Sequence, residues 1–258
     1  MRRPSSRLAE GIVTHIARSP VDTRLAEQQW EAYVAALRSV GWRIHEVPTL
    51  DSAPDCAFIE DTVVVYRDLA VITRPGDDTR KPETAAVEPA VRDLGYRVER
   101  IVAPGTLDGG DVLKVDDTIY VGLGGRTNQA GIDQLSALVA PLGGRVFRVP
   151  VSKVLHLKSA VTALPDRTVI GWDAAVDDPS VFPTYLSMPE ESGAHVVVID
   201  NRRVLMAADA PQSAELLRAR GYEVISVDIS EYEKLEGCVT CLSVRLRTAR
   251  TGINNVRP

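Results

Sequence analysis

The sequence predicts an α/β protein whose repeated units form a radial or stacked array rather than an open doubly wound sheet. In four segments, an apolar-periodic helix end is followed by a glycine and a short β stretch. These segments are AALRSVGWRIHEVP (35–48), AVRDLGYRVERIVAP (90–104), LVAPLGGRVFRVP (138–150) and LLRARGYEVISVD (216–228). Repeats of this size are typical of radial or stacked folds. In a radial array the units converge on one central axis, so we expect the functional site there.

Each repeated helix is predicted to end at a glycine, because glycine accepts the left-handed conformation that closes a helix. In the first helix, apolar residues from Leu25 to Leu37 fall near one face. Pro82 and Pro211 are expected at the starts of the second and last helices, where proline is tolerated. The four helix-ending glycines are Gly41, Gly95, Gly143 and Gly221.

Four hairpin-like pairs of β runs lie between the helices. They are AFIEDTVVVYRD with LAVITRP, DVLKVDDTIYVGL, SAVTALPDRTVIGWD, and HVVVIDNRRVLMAA. Turns are predicted at Asp116–Asp117 and Asn201–Arg202. The gap between Gly143 and Gly221 is longer than the others, so it can hold a fifth, degenerate unit around 151–195.

Composition predicts one soluble globular domain spanning residues 1–258. No Gly/Ser- or Pro-rich linker divides the chain, and its formal net charge of −5 argues against nucleic acid or an anionic membrane as the main partner. No apolar run approaches the length needed to cross a bilayer, and the N-terminus lacks the apolar region of a secretory signal. Three cysteines are too few for a disulfide scaffold. We therefore expect a reducing, cytoplasmic location.

Cys241 is a candidate nucleophile in the segment GCVTCLSVRLR (237–247), where it precedes a β-like run from Leu242 to Leu246. The alternative is a buried cysteine that packs as a small hydrophobe, which is the commoner fate. The pair Cys238 and Cys241 also has a C-x-x-C spacing. A structural zinc ion needs four ligands and the sequence offers no second pair, while a thioredoxin-like pair opens a helix instead of preceding a strand.

Four further motifs carry polar groups within apolar surroundings. His156 in VLHLKSAV is either a core histidine or the acid–base partner that a cysteine nucleophile needs. Asp108 in TLDGGDVL lies in a glycine turn that lacks the features of a phosphate loop. Glu60 and Asp61 interrupt an apolar β run, either as a strand end open to water or as a carboxylate pair that binds a cation. Arg126 in GGRTNQAG leads into a helix, and an ordinary surface arginine is the alternative.

Six blocks of the sequence occur in the order found in dimethylarginine dimethylaminohydrolases, which belong to the guanidino-modifying, or pentein, superfamily. The blocks are DCAFIEDT, ITRPG followed by Arg80, TLDGGDVL, GLGGRTNQAG, LHLKS and TCLS, within residues 55 to 245. The chain therefore resembles this family. The resemblance implies a five-bladed α/β propeller, which agrees with the repeats. It also implies hydrolysis of N-ω-methylated arginines to citrulline and dimethylamine or methylamine.

The resemblance also implies roles for individual residues. Cys241 resembles the nucleophile, His156 the general acid and base, and Asp108 the acid that orients the histidine. Glu60 and Asp61 resemble the ligands of the guanidinium group. The remaining matches are Asp55, which resembles the ligand of the substrate amino group, and Arg80 and Arg126, which resemble the clamp on its carboxylate.

This assignment agrees with the chemistry of the residues. A guanidinium carbon is a poor electrophile, so the attacking group should be a thiolate. Two carboxylates can orient the cation, and a histidine can protonate the departing amine and then activate water. We expect a cationic amino acid as the small-molecule partner, a possible homodimer, and no metal or organic cofactor.

Three alternatives stay open at this point. An arginine deiminase has similar catalytic residues but usually an added helical domain, for which 258 residues leave no room. A non-catalytic pentein would have lost the cysteine and histidine, and a bare amino-acid-binding protein would not need Cys241.

Overall fold

The computed structural model describes residues 1–246 and contains four three-stranded sheets with helices packed around them. In each sheet an antiparallel pair is extended by a third strand that runs parallel to the second. The strands are β1 (Val63–Tyr66), β2 (Leu69–Ile72), β3 (Arg97–Arg100), β4 (Val112–Val115), β5 (Thr118–Leu123), β6 (Arg145–Pro150), β7 (Val161–Ala163), β8 (Val169–Gly171), β9 (Tyr185–Ser187), β10 (Val196–Val198), β11 (Arg203–Ala207) and β12 (Glu223–Val227). The helices are α1 (Thr23–Ser39), α2 (Val87–Asp93), α3 (Gln129–Val139), α4 (Pro211–Ala219) and α5 (Ser230–Glu233).

The repeat predicted from the sequence corresponds to one sheet and the helix that connects its last two strands. In three units the chain forms a hairpin, passes through α2, α3 or α4, and returns as a parallel strand. The predicted turns at Asp116–Asp117 and Asn201–Arg202 join β4 to β5 and β10 to β11. All four predicted glycines have φ between +85° and +92°, so the left-handed helix ends are confirmed.

The fifth, degenerate unit predicted around 151–195 is the sheet of β7, β8 and β9. Between β8 and β9 the described chain has only a short 3₁₀ turn, Pro179–Val181, where the other units have an α-helix. The N-terminal unit differs in the opposite way. It contains α1, the longest helix of the described residues, but within residues 1–246 its strand pairing is a single parallel bridge between Arg2 and Val47.

Two predictions about local structure are wrong. Pro82 does not start the second helix, because it lies inside a 3₁₀ segment, Asp78–Thr84, and α2 begins at Val87. The β-like run predicted from Leu242 to Leu246 forms no assigned strand. Pro211 does start α4, as predicted.

Three short 3₁₀ turns lie immediately before the first strands of three neighbouring sheets and pack against one another. They are Ile59–Thr62 before β1, Gly109–Asp111 before β4, and Leu157–Ser159 before β7. Because these strands are largely buried, the turns are fixed by the apolar packing beneath them. The fold therefore brings polar residues from distant parts of the sequence to one place. Among residues 1–246, the model has no helix that is both long and apolar enough to cross a membrane.

Candidate active site

Two glycines allow the three turns to approach this closely. A Cβ atom on Gly109 would lie 2.0 Å from the carbonyl oxygen of Glu60, and one on Gly110 would lie 2.6 Å from Nδ1 of His156. Either contact is far below van der Waals distance. The glycine pair of TLDGGDVL is therefore required by close packing between the turns, and the residues on either side of it are presented to the site.

His156 lies at the centre of this junction with only 3% of its surface exposed. Its Nε2 atom is 2.9 Å from Oδ2 of Asp108, and its Nδ1 atom is 3.9 Å from Oδ1 of Asp61. Burial disfavours the imidazolium, but the Asp61 charge and the hydrogen bond to Asp108 outweigh it and raise the pKa of His156 to about 9. At neutral pH the histidine is therefore cationic and can act as a general acid.

Asp108 is positioned by two other segments of the chain. Its Oδ1 atom accepts a hydrogen bond of 2.8 Å from the backbone N–H of Gly76, while Oδ2 faces His156. A carboxylate held at both oxygens cannot rotate freely, so it fixes the orientation of the imidazole ring. This geometry supports the orienting role that the sequence predicts for Asp108.

Asp61 is a buried carboxylate with partners on both oxygens. Oδ1 accepts a hydrogen bond of 2.7 Å from the N–H of Gly110, and Oδ2 lies 2.6 Å from Nη1 of Arg80. Burial alone would raise the pKa of Asp61, but the His156 and Arg80 charges outweigh it and lower the pKa to about 2. Asp61 is therefore ionised across the physiological range.

Arg80 is bound mainly by carboxylates of the protein itself. Its Nε and Nη2 atoms contact the two oxygens of Glu83 at 3.0 and 2.8 Å, and Nη2 also donates to the carbonyl of Phe58. Together with the Asp61 contact, this occupies most of the guanidinium donors. The direct clamp on a substrate carboxylate predicted for Arg80 stays a prediction, and the geometry also supports a role in holding Asp61.

Arg126 differs from Arg80 because one of its donors is free. The side chain is 9% exposed, and its buried Nη1 atom has no hydrogen-bond partner among the described residues. Oδ2 of Asp108 is 3.7 Å from that nitrogen, which is too far for a good hydrogen bond. A buried donor without a partner costs about 1–3 kcal/mol, so an incoming anion would be stabilised there.

Glu60 and Asp61 do not lie in a strand as the sequence predicts, but in the 3₁₀ turn before β1. Both are at least 95% buried, so the interpretation as a strand end open to water is wrong. The turn is held by a hydrogen bond of 3.1 Å from the N–H of Glu60 to the carbonyl of Cys241. This bond attaches the acidic turn directly to the candidate nucleophile.

The carboxylate of Glu60 forms hydrogen bonds and ion pairs with three side chains that were not predicted from the sequence as site residues. Lys158 Nζ lies 2.5 Å from Oε1, Arg245 Nη2 lies 2.9 Å from the same oxygen, and the Thr240 hydroxyl donates to Oε2 at 2.8 Å. Lys158 and Thr240 stand inside the quoted motifs LHLKS and TCLS. Lys158 follows His156 by two residues and Thr240 directly precedes Cys241, and this proximity in sequence could have identified both as site residues.

Cys241 is 8% exposed and ends a tight turn in which its N–H donates to the carbonyl of Cys238 at 3.1 Å. The two sulfur atoms are 3.4 Å apart. The hydrogen bond between the thiols lowers the pKa of Cys238, and the same hydrogen bond, burial and the Cys238, Glu60 and Asp61 charges raise the pKa of Cys241 well above its ordinary value. The thiolate of Cys241 is thus disfavoured until a cation approaches.

Asp55 contacts Arg80 through its backbone carbonyl, which accepts from Nη2 at 3.4 Å, and its carboxylate faces the N-terminal loop. Both of its oxygens accept from the backbone N–H of Ile12, at 3.2 and 3.1 Å. Burial raises the pKa of Asp55, while the Arg80 charge opposes the rise. The structure thus brings Asp55 near the other predicted residues, with its carboxylate set against a loop that borders the site.

Asp111 is a second functional candidate that the sequence analysis left unassigned. Its oxygens accept from the N–H of Leu157 at 2.9 Å and from the hydroxyl of Thr127 at 2.6 Å. Burial raises the pKa of Asp111 to about 6. The residue ties the Gly109–Asp111 turn to the chain next to His156, so it supports the histidine without touching the ring.

A metal ion is the other ligand that this cluster could accept. Ligand atoms of Asp61, Asp108 and His156 lie within 4.8 Å of one another. However, both carboxylates already accept protein hydrogen bonds, and His156 is held as a cation that cannot ligate a metal. The charge state favours an acid–base site over a metal site.

Comparison with known proteins agrees with this geometry. A protein of Streptomyces coelicolor named N(G),N(G)-dimethylarginine dimethylaminohydrolase is 63% identical over 247 residues, which cover 96% of each chain. The chain belongs to the dimethylarginine dimethylaminohydrolase family. No family model matches the chain.

Solved structures show the same fold. DDAH from Pseudomonas aeruginosa, a cysteine-to-serine variant complexed with citrulline, matches with a TM-score of 0.88 at 35% identity over 95% of this chain and 97% of that chain. The N-terminal domain of a cyanobacterial arginine dihydrolase matches with a TM-score of 0.80 at 17% identity over 88% and 89% of the two chains. The predicted five-bladed α/β propeller of the pentein type is confirmed.

Proposed function

We propose that this protein hydrolyses N-ω-methylated arginines, releasing citrulline and dimethylamine or methylamine through a covalent intermediate on Cys241. The observation that carries the proposal is a cationic His156 held between Asp108 and Asp61, because Asp61 lies in the turn whose Glu60 N–H bonds to the carbonyl of Cys241. This arrangement supplies a proton donor beside a nucleophile and two buried carboxylates. Hydrolysis of a cationic amidine requires these groups.

The amino-acid end of the substrate is bound by Arg126 and Asp55. The free Nη1 atom of Arg126 donates a hydrogen bond to one oxygen of the substrate carboxylate, which removes the cost of an unpaired buried donor. Asp55 binds the α-amino group, and its hydrogen bond to Ile12 connects substrate binding to the N-terminal loop. Opposite charges at this end make the site selective for an amino acid over a simple guanidine.

The guanidinium group is bound by Glu60 and Asp61. Each carboxylate oxygen can accept more than one hydrogen bond, so the existing contacts of Glu60 to Lys158, Arg245 and Thr240 do not prevent a further one. Those contacts fix the carboxylate in place. A preorganised acceptor orients the guanidinium carbon toward the sulfur without paying the entropy of ordering at each turnover.

The first half of the reaction is attack by the Cys241 thiolate on the guanidinium carbon. The hydrogen bond to Cys238, burial and the nearby negative charges, including those of Glu60 and Asp61, hold the pKa of Cys241 high in the free protein, and a bound cation offsets these charges. His156 then gives its proton to the departing dimethylamine. A thiouronium intermediate stays attached to the sulfur.

The second half reverses the role of His156. The neutral imidazole takes a proton from a water molecule, which attacks the thiouronium carbon. Asp108 keeps the ring oriented through both halves, since its carboxylate is fixed by Gly76 as well as by the histidine. The C–S bond then breaks, which releases citrulline and restores the Cys241 thiolate, and His156 is again protonated.

The test is release of citrulline from asymmetric dimethylarginine and from arginine, each measured colorimetrically on the purified protein, with Cys241→Ser as the matched control. We expect citrulline from the methylated substrate and none from the control. Faster release from arginine would favour the arginine deiminase alternative. Binding of dimethylarginine without citrulline release would favour a bare binding protein.

We also infer that the chain acts as one catalytic unit in the cytoplasm and can form a homodimer. The cytoplasmic location is supported by the cysteine content, because three cysteines are too few for the disulfide scaffold of an oxidising compartment. Light scattering on the purified protein measures the mass in solution and tests the dimer.

A further inference from the structure

Cys238 has no role in the proposed reaction, yet its sulfur is the nearest reactive group to the candidate nucleophile. The two sulfurs are 3.4 Å apart, and a disulfide bond requires about 2.05 Å. The turn between them is already closed by the hydrogen bond from the N–H of Cys241 to the carbonyl of Cys238. Only a small movement of the side chains separates this dithiol from a bonded pair.

We propose that Cys238 is a resolving thiol, which forms a reversible disulfide with Cys241 when a hydroperoxide reaches the site and so switches the enzyme off. This inference rests on the proposed function only in assigning Cys241 as the nucleophile. The oxidant is a small hydroperoxide such as hydrogen peroxide. The reductant that restores the enzyme is a dithiol.

The chemistry balances in two steps. A thiolate of the pair attacks one peroxide oxygen, the O–O bond breaks, and the leaving hydroxide takes a proton to become water, which leaves a sulfenic acid on sulfur. The second thiolate then attacks that sulfur, the S–O bond breaks, and the hydroxide that leaves is protonated to water. Two thiols and one hydrogen peroxide thus give one disulfide and two water molecules.

The surroundings of the pair favour this reaction over plain burial of two thiols. The two sulfurs are close enough for a hydrogen bond from Cys241, which lowers the pKa of Cys238 and favours its thiolate. A sulfenic acid formed on either sulfur would meet the partner sulfur before a second peroxide oxidised it further.

Cys56 provides a matched comparison within the same chain. It is buried and free, its sulfur lies 4.0 Å from the carbonyl oxygen of Arg3, and burial raises its pKa. It therefore has neither a thiol partner nor thiolate character. We expect peroxide to leave Cys56 unmodified under conditions that oxidise the pair.

The experiment treats the reduced full-length protein with several equivalents of hydrogen peroxide, blocks free thiols by alkylation, and digests it with trypsin. Cleavage after Lys234 and Arg245 releases both cysteines in one peptide, LEGCVTCLSVR. We expect this peptide to be lighter by two hydrogens and not alkylated, and citrulline release to be lost and then regained with dithiothreitol. Peptide mass reads the disulfide without activity, so failure of the proposed function is distinguished from failure of this inference.

Three variants make the test specific. After treatment with peroxide and then dithiothreitol, wild type and Cys56→Ser should regain their own starting rates of citrulline release. Cys238→Ser and Cys238→Ala should regain a fraction of their starting rates that is about tenfold smaller, because Cys241 is oxidised to the sulfinic acid. The inference is overturned if the wild-type peptide keeps two alkylated thiols while activity is lost. It is also overturned if both Cys238 variants recover as completely as wild type.

Discussion

Replacing Asp108 with asparagine should lower the pKa of His156 and shift the alkaline limit of catalysis. In the native protein the pKa of His156 is raised to about 9, against burial, by the Asp61 charge and the 2.9 Å hydrogen bond to Asp108. A hydrogen bond to a charged group contributes about 1.5–3 kcal/mol, which corresponds to ~1–2 pKa units. The variant should therefore titrate near pH ~7–8.

The direction of the activity change follows from the role of the histidine. The general acid works only when protonated, so a lower pKa moves the alkaline limb of the kcat/KM profile from about pH 9 to lower pH by the same ~1–2 units. The ring also loses its fixed orientation. We therefore expect kcat to fall by roughly 10²-fold or more even at pH 6.

The assay is citrulline release across pH 6 to 10, together with NMR titration of the imidazole resonances, which is practical because the chain has four histidines. Asp117→Asn is the matched control, since that carboxylate lies in the β4–β5 turn and binds the hydroxyl of Tyr66. An Asp108→Asn variant with an unchanged alkaline limb and near-normal kcat would refute the assignment of Asp108 as the group that charges and orients His156.

Four other outcomes are expected. Cys241→Ser should abolish turnover and keep the fold, because a serine hydroxyl is not ionised at neutral pH, whereas Cys238→Ser should keep turnover within a few-fold. The reverse result in the citrulline assay would contradict the assignment of Cys241 as the nucleophile. His156→Ala should slow kcat by ~10²-fold or more at every pH, and near-normal turnover would remove the residue from the mechanism. Arg126→Lys should weaken binding of methylarginine by about 2–5 kcal/mol, because lysine lacks the planar donor pair that binds a carboxylate. The same change should weaken binding of a methylated guanidine without a carboxylate far less, and equal losses on both compounds would show that Arg126 is structural. Folding raises the pKa of His156 to about 9, so protonation of His156 should add about 3 kcal/mol to the free energy of unfolding below pH 6.5. This contribution should be lost as pH rises through 9, so the free energies of unfolding of wild type and His156→Ala, measured in urea, should converge at high pH.

The parts of the fold that were predictable from sequence are those governed by local rules. Gly41 and Gly221 end helices because only glycine adopts a positive φ without strain, and that requirement is visible in the sequence. The Asp116–Asp117 turn and the degenerate unit around 151–195 were also predictable, from turn residues and from the spacing of repeats.

The predictions that failed depend on contacts distant in sequence. Glu60 and Asp61 have apolar neighbours on both sides, which is the pattern of a strand, but the hydrogen bond from Glu60 to the carbonyl of Cys241 turns the chain into a 3₁₀ segment. Pro82 suits a helix start, but it lies inside the 3₁₀ segment Asp78–Thr84, and α2 begins later, at Val87.

The sequence predicted which residues lie at the site better than it predicted which contacts they make. All eight predicted residues are buried, and Asp61, Asp108 and Glu60 contact His156 or the Cys241 turn directly. The partners of Arg80 were not foreseen. Glu83 stands three residues after Arg80, which is a common spacing for an ion pair, but nothing local indicated that the pair would be buried.

The central claim is that the reaction passes through a covalent intermediate on Cys241, and mass spectrometry of quenched reactions tests it most directly. The protein is mixed with excess asymmetric dimethylarginine, quenched with acid during turnover, and digested. We predict that the peptide from Leu235 to Arg245 gains the mass of the substrate minus dimethylamine, on Cys241 and not on Cys238. Steady citrulline production with no adduct on this peptide, or an adduct on another residue, would contradict the account.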